Sequence, residues 1–169
     1  RVLGIHPDTT VVVNSVTVRY GLTPDGVSGV DNARGGPGGG IRVLGALTLN
    51  SCAVTYNRTG DGGVNHLSNG GYGGPGGGIF VDGGPLVLNS SNVRFNRTGD
   101  GGSGDINGGI SGMGGWGGGI QINYYDVMTI TNSIISYNTT GNGGPGVDTN
   151  DINAGKGGGG FFSRHLLGR

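Results

Sequence analysis

The chain contains no glutamate, one lysine (Lys156), one cysteine (Cys52) and one tryptophan (Trp116). With a single cysteine, neither an internal disulfide nor a cysteine-based metal site can form. Only 12% of residues are charged, and ten Lys+Arg balance ten Asp+Glu. Such a chain lacks the electrostatic footprint for nucleic acid or an anionic membrane. No apolar run approaches the roughly 18 residues of a membrane span. Helical periods are missing as well. Glycine makes up 44 of 169 residues, and each interior glycine costs a helix roughly 1 kcal/mol against alanine. Glycine at this level points first to collagen or disorder. Collagen is excluded because glycine does not recur at every third position. Disorder is excluded because the apolar residues fall into short alternating blocks that recur.

Those blocks define an internal repeat. Residues 35–63, 73–102 and 114–144 align almost without gaps. A degenerate copy spans 1–21 and a truncated one 155–169. The Asn-Ser pair sets the register at Asn14, Asn50, Asn89 and Asn132, with spacings of 36, 39 and 43. Each copy reads as three short strands with alternating apolar and polar residues, the mark of a half-buried strand. In the first of the three full copies, 35–63, these are Ile41-Arg42-Val43, Leu47-Thr48-Leu49 and Val54-Thr55-Tyr56. One such unit cannot bury its apolar face alone. Coiling the chain, so that each strand lies on its equivalent in the next copy, buries it. The expected fold is all-β, a parallel β-helix of about 4–5 rungs, roughly 20–25 Å tall at about 4.8 Å per rung. Stacked Asn14, Asn50, Asn89 and Asn132 would hydrogen-bond from rung to rung at a corner.

The pattern GGGI…LTLNS…VTYN resembles the right-handed parallel β-helix repeats of bacterial surface and secreted proteins. These include polymorphic outer-membrane protein repeats, autotransporter adhesin passengers and pectate-lyase-like proteins. The resemblance covers nearly the whole chain and implies the fold. It implies little about function, because this scaffold carries lyases, hydrolases, adhesins and passive fibres alike.

Four glycine-rich segments, 21–40, 60–78, 99–119 and 141–159, have nearly equal lengths and carry scattered apolar residues. Closure entropy alone does not hold loop length so constant. These segments are therefore expected to stack as a second ordered layer. Trp116 and Tyr72 sit in them, placed for ligand contact or for packing the layer. Tyr56, Phe95 and Tyr137 share one register, as a stacked ladder or an exposed strip for sugars.

Candidate chemistry is sparse. Asn57, Asn96 and Asn138 open N-x-Thr sequons at one repeated position, and Asn89 opens a fourth. They are candidates for N-glycosylation, although Asn and Thr also suit a turn. Calcium has weak candidates in Asp148 and Asp151, beside a partial GGxGxD match, and in Asp105. Without a tandem array of such motifs the expected cofactor is none. No strand presents a pair of Asp for general acid–base work, and His6, His66 and His165 have no partner pattern, so no catalytic residue is expected.

The chain opens inside the pattern at Arg1-Val2-Leu3-Gly4, read as equivalent to Arg42-Val43-Leu44-Gly45, and stops near Phe161-Phe162. An uncapped end rung is a template for addition. Val2, Leu3, Phe161 and Phe162 are therefore expected to meet another copy, head to tail, or flanking rungs of the same chain. The function expected is a non-catalytic extracellular or cell-surface fibre or stalk. The alternatives are an adhesin passenger that binds glycans or surfaces, and part of a polysaccharide lyase or hydrolase.

Overall fold

Wherever the sequence alternates apolar and polar residues, the protein carries a short strand. The computed structural model describes residues 1–105 and 108–146. In chain order the strands are β1 (Leu3–Ile5), β2 (Thr10–Asn14), β3 (Thr17–Arg19), β4 (Ile41–Val43), β5 (Ala46–Asn50) and β6 (Ala53–Thr55). They continue with β7 (Ile79–Val81), β8 (Leu86–Asn89), β9 (Asn92–Arg94), β10 (Ile120–Ile122), β11 (Met128–Thr131) and β12 (Ile134–Ser136). Strands β1, β4, β7 and β10 form one parallel sheet, β2, β5, β8 and β11 a second, and β3, β6, β9 and β12 a third. The fold is an all-β parallel solenoid of about three turns. Each sheet carries four strands, one per rung, and the last partial copy, with Phe161 and Phe162, lies outside the described residues.

The core is a set of columns, one residue deep per turn. Leu3, Ile41, Ile79 and Ile120 are in register, as are Ile5, Val43, Val81 and Ile122. Leu47 and Leu49 lie on Leu86 and Leu88, and Val18, Val54 and Val93 on one another. The residues of the inner turns in these columns are almost wholly buried. Each such branched side chain contributes roughly 1.5–3 kcal/mol on leaving water.

Two registers differ from the sequence reading. Leu3-Gly4-Ile5 pairs with Ile41-Arg42-Val43, three residues away from the alignment that matches Arg1 to Arg42. The core column needs an apolar pair, and Leu3 and Ile5 supply it. At the other corner, Thr131 lies on Asn89, so Asn132 is not in the asparagine ladder. Asn132 instead takes the corner site of Ser15, Ser51 and Ser90, all at φ between 49° and 54°. The third copy reads Thr-Asn-Ser where the others read Asn-Ser-x, a shift of one. Packing of Met128 on Leu86 and Ile130 on Leu88 sets the register.

The glycine-rich segments run outward from the solenoid and back, hydrogen-bonded to themselves and to the next turn. The N–H of Gly74 donates to Gly60 O and that of Gly115 to Gly99 O, both at 2.9 Å, joining outgoing and returning limbs. One unbroken series runs across turns, with Gly144 N donating to Gly112 O, Gly112 to Gly102, Gly102 to Gly71, Gly71 to Gly63 and Gly63 to Ala33. The limbs lie so close that a Cβ on Gly112 would sit 1.8 Å from Gly71 O. The expected ordered second layer is thus present over its described part, as backbone packed on backbone.

Candidate functional site

The three sequons occupy the corner where the third sheet meets the glycine layer. Asn57 and Asn96 are each only 1% exposed. Asn57 Nδ2 donates to Asn96 Oδ1, and Asn96 Nδ2 to Asn138 Oδ1, both at 2.9 Å. The same oxygens accept the backbone N–H of Asn57 and Asn96 at 3.0 Å. Asn57, Asn96 and Asn138 also donate to the carbonyls of Val18, Val54 and Val93. A sugar on Nδ2 of Asn57 or Asn96 is incompatible with this buried ladder. The expectation of exposed acceptors is therefore corrected for these two, and Asn138 is the half-buried end of the same ladder.

The rest of the motif has equally local causes. Thr59 and Thr98 are fully buried. Thr98 Oγ1 donates to Gly115 O at 2.7 Å and accepts Gly141 N–H at 2.8 Å, clamping the two limbs of the loop layer. The middle residue points outward. Arg58 reaches both oxygens of Asp61 at 2.6 and 2.8 Å, and Arg97 both of Asp100 at 2.7 and 2.8 Å. In the third copy both partners change together, to Thr139 and Asn142. The Asp carboxylates stack too: Asp61 N–H donates to Asp25 Oδ1 and Asp100 N–H to Asp61 Oδ1, both at 2.7 Å. The NRTGD repeat is thus a structural device: ladder, arginine, clamp, glycine, ion-pair partner.

At the second corner, Asn50 Nδ2 donates to Asn14 Oδ1 at 2.8 Å and Asn89 Nδ2 to Asn50 Oδ1 at 2.9 Å. Asn89 is half-buried there and its amide is engaged. An aromatic ladder occupies the first corner's outer side. Tyr20, Tyr56, Phe95 and Tyr137 stack with centroids 5.9, 5.1 and 5.2 Å apart. All four rings are solvent-exposed, and Arg94 lies over both Phe95 and Tyr137.

Among the described residues, no group of three or more His, Cys or Asp side chains could hold a metal ion. Asp148 and Asp151 lie outside the described residues. Asp105 sits in the third loop, where its N–H donates to Ser68 O at 2.8 Å. At the loop tips, the Ser68 hydroxyl donates to Asp31 at 2.8 Å and holds that carboxyl below its ordinary range. At the first turn, the N–H groups of Val2 and Leu3 both donate to Gly40 O at 3.0 Å. Leu3 packs on the core, while Val2, Val12, Val16 and Leu22 remain exposed.

One concave site stands out. A cleft of about 580 Å³ opens between the outer face of the first sheet and the loop layer. Rung stacking builds its walls. Arg34, Tyr72 and Met113 follow one another in successive loops, because Gly35 N–H donates to Tyr72 O and Gly73 N–H to Met113 O. Trp116 stands where the other copies have proline, Gly76 N–H donating to its carbonyl. Phe80 of β7 and Gln121 of β10 are register neighbours on the cleft side. The turn after β10 adds Tyr124 and Tyr125, packed edge to face at 5.1 Å. Arg34 lies 4.9 Å over the Tyr72 ring. The lining contains no carboxylate and no histidine. Of this set, the sequence pointed to Tyr72 and Trp116. Aligning GGPGGG with GGWGGG is the signal that brings in Gln121.

Compared with known proteins, the chain matches no family model, no curated protein and no solved structure.

Proposed function

We propose that the protein is a non-catalytic structural solenoid, extracellular or on a cell surface, that stacks end to end into a fibre or stalk. The observation that carries this reading is axial repetition. The two asparagine ladders, the aromatic ladder, the carboxylate stack and the glycine layer all run from turn to turn with their donors and acceptors continued. β1, β2 and β3 are edge strands of the three sheets, and Val2, Val12 and Val16 beside them are exposed. An open parallel edge of this kind accepts another strand set, and a head-to-tail contact that does not close gives a filament. The cleft's lack of carboxylate and histidine supports a role other than hydrolysis or elimination. Electron microscopy with helical image analysis tests the reading. Filaments with an axial repeat of roughly four to five rungs at about 4.8 Å each are expected. Isolated short particles at all concentrations would overturn it.

A further inference from the structure

We propose that the cleft beside the first sheet binds a short oligosaccharide of pyranose sugars. This goes beyond end-to-end stacking and applies to a single particle and a filament alike, since the cleft is formed within one chain.

The argument begins with the mixture of surfaces. Tyr72, Trp116, Tyr124 and Tyr125 line one groove. Tyr125 is 92% exposed and Tyr124 about half exposed, so these rings are not committed to packing the solenoid. Large exposed rings gathered at a concave site mark ligand contact. The volume, about 580 Å³, falls in the range of small-ligand sites, roughly 300–1,000 Å³.

Polar groups among the rings narrow the ligand. Gln121 is 4% exposed, and its Nε2 donates to Ile122 O at 3.0 Å. Its Oε1 has no hydrogen-bond partner. A buried acceptor left unpaired is costly, and a ligand hydroxyl would satisfy it. The oxygen is shielded from solvent as it stands, so engagement requires the amide to turn toward the cleft. A wholly apolar ligand would leave Gln121 unsatisfied. A nucleic acid strand needs a row of cations for its phosphates, and the cleft has Arg34 alone. A sugar has what the site asks for: a flat C–H face for each ring and a rim of hydroxyls that donate and accept. Tyrosine hydroxyls and the Arg34 guanidinium match that rim.

Trp116 is the only tryptophan, so its fluorescence reports on the cleft directly. The test titrates the full chain with cellohexaose, chitohexaose, mannohexaose and hexagalacturonate, which vary linkage geometry and charge. At least one is expected to give a saturable change in Trp116 emission. Tyr125→Ala, at an exposed position that the fold does not need, is expected to weaken that binding about tenfold. Gln121→Leu is expected to weaken it while leaving the thermal midpoint unchanged or raised. Tyr20→Ala, on the far aromatic ladder, is the control and leaves affinity unchanged. The proposal is overturned if none of the four glycans shifts the emission, or if binding survives Tyr125→Ala and Gln121→Leu undiminished.

Discussion

Asn96 is held from three sides. Its amide donates to Asn138 Oδ1 and to Val54 O at 2.9 Å, and its oxygen accepts both the side chain and the backbone N–H of Asn57. Truncation to alanine leaves two donors of Asn57 and one carbonyl without partners in a dry corner. A buried unsatisfied polar group costs about 1–3 kcal/mol, so Asn96→Ala is expected to lower stability by about 3 kcal/mol in urea unfolding. Asn14 makes the chemically similar contact to Asn50 at an exposed end of its ladder. Asn14→Ala is expected to cost about 0.5 kcal/mol or less. Equal losses at the two positions would mean that burial is not what gives the inner ladder its weight. The ladder also offsets backbone strain: the residue before each of these asparagines, Tyr56 or Phe95, sits at φ 54° or 55°, a conformation that bulky L-residues avoid.

Strands and glycine limbs behave differently under substitution, because one buries side chains and the other excludes them. A Cβ on Gly99 would meet Gly60 O at 1.8 Å, and moving them apart strains the bonds from Gly74 N–H to Gly60 O and from Gly99 N–H to Thr59 Oγ1. A Cβ on Gly4, on the outer face of β1, meets nothing within 4 Å. Gly99→Ala is therefore expected to destabilise by about 3 kcal/mol or more, and Gly4→Ala to stay within about 0.5 kcal/mol. Thermal unfolding of the two variants checks this. If Gly99→Ala is tolerated as well as Gly4→Ala, the limbs are not in backbone contact. This contrast explains what could be read in advance. Strand positions were legible because Ile41 and Val43, Leu47 and Leu49, and Ile120 and Ile122 alternate with polar residues at a period that only a strand has. The layer was legible from its constant length, though its hydrogen bonds were not, since glycine carries no pattern of faces. Asn132 misled because a dipeptide match was allowed to set a register that Met128 and Ile130 decide. The sequons misled because N-x-Thr serves both a sugar acceptor and a ladder with a clamp, and burial alone separates them. The cleft was nearly invisible, because residues about 40 positions apart, such as Phe80 and Gln121, meet only once the turns are stacked.

At the scale of the whole molecule, the strand pairings and the asparagine ladders join residues one turn apart, 36 to 42 positions along the chain. Stability in such a body is a sum over neighbouring turns, and the first turn has a described neighbour on one side only. Its outward valines are exposed, and Val11 and Val13 are half-buried against the core. Wherever no further turn covers it, this turn opens ahead of the inner ones. Cys52 provides the readout, being the only thiol. It is buried on the second turn, with its Sγ donating to Val13 O of the first turn and to Asn50 O, both at 3.3 Å. In dilute protein, a thiol reagent is expected to label Cys52 through a partial opening that lifts β2 and β3. The labelling rate should then rise with urea along a slope well below that of global unfolding. End-to-end stacking would cover the first turn and remove this route. Labelling at concentrations where filaments form should slow and take on the global slope. A global slope already present in dilute protein would mean that the turns melt as one unit. The exposed edge of β1, β2 and β3 would then not be the weak point that stacking relieves.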